Sequence, residues 1–198
     1  MKTFVLTLLL VIVAPRMLLA QTSVSAGFGV PLVLVPSNSD VARVIGPALW
    51  GEATFVSPSG VVSLHTGLDW STPYKKEWRR SLRVTGTGTY QETVLSQGIG
   101  FRLRSTERSE IIAIGGFGMV FMRVDETARI ASGGLGPAQT QRTRSTRLEP
   151  SALGGINVSA TVSDRVGMTF RVRLRLSTEN DFNSLAVVPS VGFRFLLD

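Results

Sequence analysis

The chain of 198 residues has no cysteine and only one histidine, and both shortages exclude classes of site. Without cysteine there can be no disulfide scaffold, no thiolate metal site and no lipid-modified N-terminal cysteine. Metal-ligand spacings, glycine-rich phosphate loops and nucleotide fingerprints are missing from the sequence, so we expect no metal and no cofactor. Beyond residue 20, no apolar run reaches the ~20 residues of a membrane-spanning helix.

Residues 1–20 have the features of a cleaved secretory signal peptide. Lys2 supplies a positive charge, residues 4–13 are apolar, and residues 18–20 offer a cleavage site. The alternative, an N-terminal membrane anchor, is less favoured because a proline and an arginine interrupt the apolar stretch. We therefore predict a signal peptide at 1–20 and one exported domain at 21–198.

The net charge is +7, and nearly all the basic residues are arginine. Arginine suits charges that are packed among other side chains or that face phosphate groups. A basic chain could also bind nucleic acid, but that role requires a cytoplasmic protein. Because the signal peptide predicts export, we expect no nucleic-acid partner.

Eight segments alternate polar and apolar residues. In the clearest one, residues 166–176, Phe170 and Leu174 share one parity, and Arg171 and Arg173 share the other. Successive side chains of a strand point to opposite faces, so this segment is predicted to be a strand with an apolar face and an arginine face. The eight predicted strands cover residues 23–34, 47–56, 61–70, 95–105, 111–122, 151–162, 166–176 and 187–197.

The connections between these strands alternate between long and short. Outer-membrane barrels have tight turns at the periplasmic end and long loops at the external end. Strands of ~9–11 residues also match a tilted bilayer crossing. The four long connections are predicted at residues 35–46, 71–94, 123–150 and 177–186, although 84–91 could form a further strand or extend the fourth strand.

In this pattern the chain resembles the OmpA/OmpX class of small outer-membrane barrels, over about residues 23–198. Residues 191–195 (VGFRF) resemble the aromatic-alternating last strand that such proteins present to the barrel-assembly machinery. The resemblance implies an all-β fold, a closed antiparallel up-and-down transmembrane barrel of eight strands. It also implies a place in the outer membrane of a Gram-negative bacterium and contact with its lipid and lipopolysaccharide.

The polar parity is predicted to line the lumen of this barrel. Glycines share that parity, which suits a narrow interior, and Trp50 and Trp70 lie where an aromatic girdle would meet the membrane surface. The alternative is a soluble exported, lipocalin-like barrel that binds a small hydrophobic ligand and buries the apolar parity. The predicted polar network of the lumen comprises Glu52, His65, Asp69, Arg102, Arg104, Arg171, Arg173, Arg175 and Arg194.

This network has two interpretations beyond a hydrogen-bonded plug. A narrow anion-selective pore is one, but eight strands leave little room for it. A lipid hydrolase is the other, because pairing Val56 with Val61 would place Glu52 opposite His65, and a carboxylate beside an imidazole can begin a general-base arrangement. Since such a pair lies inside the wall, away from substrate, we expect a structural role and no enzyme activity.

The second long connection is basic and aromatic. Thr72 and Pro73 can start a helix, and its basic residues would then share one broad face that could bind lipopolysaccharide phosphates. A merely solvated loop is the alternative. Arg142, Arg144 and Arg147 add positive charge at the same end of the barrel, so we expect a structural or surface role in envelope integrity, adhesion or lipopolysaccharide contact. The candidate contacts are Lys75, Lys76, Arg79, Arg80 and Arg83.

Overall fold

The structure is a computed structural model that describes residues 21–34, 43–44, 46–81, 84–130, 139–179 and 182–197. The predicted signal peptide at 1–20 lies outside the described residues. Within the described ranges, no helix is long and apolar enough to cross a membrane.

The described chain folds into β-strands that belong to one antiparallel sheet. The strands are β1 (Gln21–Gly29), β2 (Leu32–Leu34), β3 (Arg43–Val44), β4 (Ala48–Val56), β5 (Val62–Ser71), β6 (Tyr74–Ser81), β7 (Val84–Ser105), β8 (Ser109–Ile130), β9 (Gln139–Ser163), β10 (Val166–Glu179) and β11 (Phe182–Leu197).

Eight of these strands form a closed ring in the order β1, β4, β5, β7, β8, β9, β10 and β11. The ring closes between β1 and β11, in a register that runs from Thr22 opposite Leu197 to Gly29 opposite Ser190. A closed sheet pairs its backbone groups all the way round, as a barrel in lipid must. The predicted eight-stranded up-and-down barrel is confirmed.

Three short turns join ring strands at one end, at residues 57–61, 106–108 and 164–165. In the first turn, the amide of Gly60 donates a hydrogen bond to the carbonyl of Ser57 at 2.8 Å, and Gly60 adopts a φ of +70° that favours glycine. The turn is longer than predicted, because Val56 pairs with Ser63 and not with Val61.

The outward face of the ring is apolar and the inward face is polar. Phe117 is 65% exposed and Phe170 is 51% exposed on the outside, whereas Arg171 is only 1% exposed inside. A lipocalin-like barrel requires the opposite arrangement. The described wall is therefore that of a transmembrane barrel. A small buried apolar cluster of Tyr90, Met122 and Val124 lies at the end of the interior that is away from the short turns.

Several strands continue far beyond the ring at the end opposite the short turns. We call this part the projecting sheet: β6, residues 84–92 of β7, 122–130 of β8 and 139–147 of β9, which pair in that order. Residues 84–91 are thus an extension of a ring strand, and the long loops predicted at 71–94 and 123–150 are largely strand. The tips at 82–83 and 131–138 lie outside the described residues.

The helix predicted after Thr72 and Pro73 is wrong, because β6 is a strand paired with β7 from Tyr74 opposite Tyr90 onward. The local helix-start signal is overridden by cross-strand pairing with a threonine-rich partner, and threonine favours strands. The connection predicted at 177–186 is also mostly strand, since β10 pairs with β11 up to Glu179 opposite Phe182.

Candidate functional site

The lumen is organised around the carboxylate of Glu52, which projects from β4 and is buried. Its Oε1 lies 2.9 Å from Nδ1 of His65 and accepts a hydrogen bond of 3.1 Å from Nδ2 of Asn157. Its Oε2 is paired with the guanidinium of Arg173, and Nη1 of Arg171 lies 3.7 Å away. Buried charges need partners of this kind, and one carboxylate here connects side chains from four strands.

The arginines of β10 extend across the lumen to the facing wall. Arg171 pairs with Asp69 of β5 and lies over the ring of Trp50, 4.0 Å from its centroid. Two residues further along, Arg173 reaches Glu52, and Arg175 pairs with Glu92 of β7 at 2.5 Å. Because residues of one parity along a strand are spaced by roughly 6.6 Å, the three pairs form successive layers.

A further layer lies near the short turns. Glu110 of β8 pairs with Arg194 of β11, and its other oxygen lies 3.2 Å from Nη2 of Arg102. One carboxylate here serves two guanidinium groups.

The structure brings together eight of the nine predicted lumen residues: Glu52, His65, Asp69, Arg102, Arg171, Arg173, Arg175 and Arg194. Arg104 is the exception and is exposed. The pairing of β7 with β8 shifts between Arg102 and Arg104, and a bulge of this kind reverses the alternation of faces.

Of the two tryptophans predicted for the aromatic girdle, the structure places only one on the outward face. Trp70 lies on the outward face and is 38% exposed. Trp50 is buried in the lumen against Arg171, so its assignment to the girdle is wrong. Its inward parity, shared with Glu52, overrides its position near the end of a strand.

Glu92 and Asn157 belong to the network but were missed by the sequence interpretation. Glu92 was placed in a loop, and Asn157 was seen only as part of a polar parity. Gly98 and Gly100 face inward, and Glu92 has the same parity on the same strand. The alternation of the sequence was therefore sufficient to place Glu92 inside.

Ser63, His65 and Glu52 form a hydroxyl–imidazole–carboxylate series. Oγ of Ser63 lies 2.8 Å from Nε2 of His65, whose Nδ1 faces Glu52. This is the order of groups in a serine hydrolase, but that chemistry also needs room for a substrate beside the hydroxyl. Gly100 lies so close that a Cβ there would be 2.5 Å from both Ser63 and His65. The series is packed as a structural contact.

At the short-turn end, the lumen contains a cavity of about 330 Å³. Toward the projecting sheet, the cavities beside Glu52 and beside Glu92 measure only about 10 Å³ and 30 Å³. The side chains of the Glu52 network fill the part of the lumen around these two small cavities.

The outward face changes from apolar to basic within one row, where the ring passes into the projecting sheet. Phe121 and Leu148, which are directly paired, are exposed and apolar. The next outward row contains the exposed Arg123, and the row after that pairs Asp125 with Arg144.

Asp125 orders two of the arginines on this face. Arg142 donates to its carboxylate from Nε at 2.9 Å and from Nη2 at 2.7 Å, and Arg144 donates from Nε at 3.0 Å. The hydrogen bonds from Arg142 are the main reason that the pKa of Asp125 is lowered to about 2. A bidentate pair of this type fixes the direction of the guanidinium.

The predicted lipopolysaccharide contacts lie on or beside β6. Lys75 is exposed and is paired with Thr89 of β7. For Lys76, Arg79 and Arg80 the structure describes only their positions in the strand, and Arg83 lies outside the described residues. Successive residues of a strand alternate between faces, so the single broad face expected of a helix does not exist.

Comparison with solved structures supports the fold. The chain is similar to Ail, the attachment invasion locus protein of Yersinia pestis, in complex with the heparin analogue sucrose octasulfate, with 13% identity, coverage of 88% of this chain and 98% of that chain, and a TM-score of 0.50. It is similar to a major outer membrane protein from Thermus thermophilus, with 10% identity, 89% and 99% coverage, and a TM-score of 0.53. No protein-family model and no curated protein sequence matches the chain. The fold is thus that of small outer-membrane β-barrels.

Proposed function

We propose that the protein is a non-enzymatic barrel of the bacterial outer membrane, exported by a cleaved signal peptide at 1–20. Its role is structural and surface-facing, and its projecting sheet contacts lipopolysaccharide. The observation that carries the proposal is the change on the outward face from Phe121 and Leu148 to Arg123 and Arg144.

The position of this change matches the level of lipid phosphates. Arg123 follows Phe121 by two residues, which is roughly 6.6 Å along the strand. If the apolar wall up to Phe121 lies in the hydrocarbon layer, Arg123 therefore lies among the lipid headgroups. Guanidinium groups bind phosphate with paired hydrogen bonds, and Asp125 already directs Arg144 and Arg142 outward.

The lumen supports a structural role for the barrel body. Ion pairs cross it in layers, and the Ser63–His65–Glu52 series has no space for a substrate beside Ser63. The outward face of β11, with Phe193 and Phe195 exposed, supports recognition of this last strand by the barrel-assembly machinery during insertion.

Membrane fractionation combined with gel mobility tests the compartment. We expect the protein in the outer-membrane fraction, and we expect the unheated sample to migrate differently from the boiled one, because a closed barrel resists detergent. Recovery in the soluble periplasmic fraction would contradict the proposal.

Binding of lipopolysaccharide to the purified barrel in detergent tests the surface role. We expect the double variant Arg123→Gln/Arg144→Gln to bind about tenfold more weakly, since a hydrogen bond to a charged group contributes about 1.5 kcal/mol or more. The matched control is Arg104→Gln/Arg165→Gln, which removes the same charge from exposed positions at the other end. Sucrose octasulfate, the polyanion present in the Ail structure, is a suitable competitor. Equal affinities of the two double variants would count against lipopolysaccharide contact at this face.

A further inference from the structure

The cavity of about 330 Å³ at the short-turn end has a chemical character of its own. We call it the vestibule and define it by six of its lining residues: Arg102, Ser109, Glu110, Ser159, Thr161 and Arg194. It lies between the turns, at the end of the barrel opposite the projecting sheet. A water molecule takes about 30 Å³ in the liquid, so the vestibule has room for roughly ten waters or for a small anion with a few waters.

Positive charge in the vestibule is under-compensated. Arg102 and Arg194 share the single buried carboxylate of Glu110. Glu107 also lines the cavity, but it is exposed in the turn, where solvent screens it. Among the described residues, the Nε atoms of Arg102 and Arg194 have no hydrogen-bond partner, and neither has Oε1 of Glu110. Both guanidinium groups are partly buried, and two positive charges against one buried carboxylate leave the vestibule short of negative charge.

The remaining lining of the vestibule is rich in hydroxyl groups, of which those of Thr106 and Ser109 are hydrogen-bonded to each other and that of Ser159 to Thr169. Hydroxyl groups come from the turn after β7, from β8 and from the end of β9, and Gln21 adds a side-chain amide. Two guanidinium groups surrounded by hydroxyl and amide donors are complementary to a phosphate group, which offers several charged acceptor oxygens.

We propose that the vestibule is a phosphate-binding site. The phosphate comes either from free phosphate in solution at the short-turn end or from the headgroup of a phospholipid in the adjacent leaflet. This site uses none of the residues proposed for lipopolysaccharide contact, so the two proposals stand or fall separately.

Calorimetric titration of the purified barrel with inorganic phosphate, in phosphate-free maltoside micelles, tests the site. We expect saturable binding by the wild type and at least tenfold weaker binding by Arg194→Gln and by Arg102→Gln. The matched control is Arg104→Gln, which removes the same charge two residues from Arg102 but outside the cavity, and should bind like the wild type. Heat-dependent gel mobility of each variant checks that the ring is intact.

A second variant separates ligand binding from simple stabilisation. Glu110→Gln removes the carboxylate that competes with phosphate for both arginines, so we expect several-fold tighter binding of phosphate. If Arg102, Glu110 and Arg194 only stabilised the barrel, this variant would not bind phosphate more tightly. Repeating the titration in phosphatidylglycerol nanodiscs identifies the source: weaker apparent binding there indicates competition by lipid headgroups, and unchanged binding indicates free phosphate. Absence of wild-type binding, or equal affinity of Arg194→Gln and Arg104→Gln, would overturn the proposal.

Discussion

At the scale of single residues, Glu52 has the largest structural role in the lumen. It contacts His65, Asn157 and Arg173, and Arg171 lies within 3.7 Å. The variant Glu52→Gln leaves the buried guanidinium groups short of a counter-charge, and breaking a buried pair in this way costs about 3–5 kcal/mol. We expect a markedly lower temperature for the heat-dependent gel shift, whereas the exposed control Glu77→Gln should shift at the wild-type temperature.

Gly100 is required by the close approach of its neighbours. A Cβ at this position would lie 2.5 Å from Ser63 Oγ and His65 Nε2, whereas one at Gly115 would meet nothing within 4 Å. We expect Gly100→Ala to lower the free energy of unfolding by about 1–3 kcal/mol, as overpacking does. Gly115→Ala should be close to neutral in the same urea titration, and equal losses for both would show that the Ser63–His65 contact is not tightly packed.

The faces of individual residues follow largely from the alternation of the sequence. It placed Arg171 and Arg173 inside, and the structure puts them there. It also placed Arg104 inside, which is wrong, because a single bulge reverses the parity and the composition does not reveal the bulge. The pairing of Glu52 with His65 was expected from a register that is off by two residues, yet the contact forms because a shift of two keeps both side chains on one face.

At the scale of elements, the β8–β9 hairpin of the projecting sheet contains an exposed ion-pair cluster that requires the ionised form of Asp125. Its pKa is lowered to about 2 mainly by the hydrogen bonds from Arg142, against an ordinary value of 3.8. A lowered pKa means that the contribution to stability is fully present above the ordinary value and is lost as the pH falls through about 2. We expect a carbon NMR titration of the Asp125 carboxyl to have its midpoint near 2, and Arg142→Gln to raise that midpoint. A midpoint of 3.8 in the wild type would show that the ion pair does not persist in solution.

The ring strands could be predicted from the sequence, but the projecting strands could not, apart from the alternative that 84–91 extends the fourth strand. Ring strands separate lipid from a polar lumen, so their two parities differ. In the projecting sheet, neighbours such as Thr85, Gly86, Thr87 and Gly88 lack apolar alternation and resemble a loop. They pair on one side with β6, as in Gly88 opposite Lys76, and on the other side with β8, more than thirty positions away, as in Gly88 opposite Glu126. No local pattern encodes the second pairing.

At the scale of the whole molecule, the apolar belt should respond to charge according to depth. Phe170 lies on the outward face away from the turns, while Val162 lies next to the turn at 164–165. An arginine on the lipid face costs roughly 2–4 kcal/mol at the bilayer midplane and about 0–1 kcal/mol near the interface. We therefore expect Phe170→Arg to impair folding into lipid vesicles much more than Val162→Arg, as measured by equilibrium unfolding in vesicles. Similar costs at both positions would mean that this wall does not face lipid.

The closure of the ring between β1 and β11 sets the order of events during folding. Neighbouring hairpins such as β8–β9 join residues that are close in sequence, whereas β1 and β11 come from opposite ends of the described chain. Contacts between distant residues form late, because loop closure costs more entropy. Arg171, Arg173 and Arg175 can meet their partners on β4, β5 and β7 only when the wall surrounds a common interior. The ion pairs of the lumen therefore cannot guide early strand pairing. They form after the ring has closed, and they then slow the reopening of the barrel.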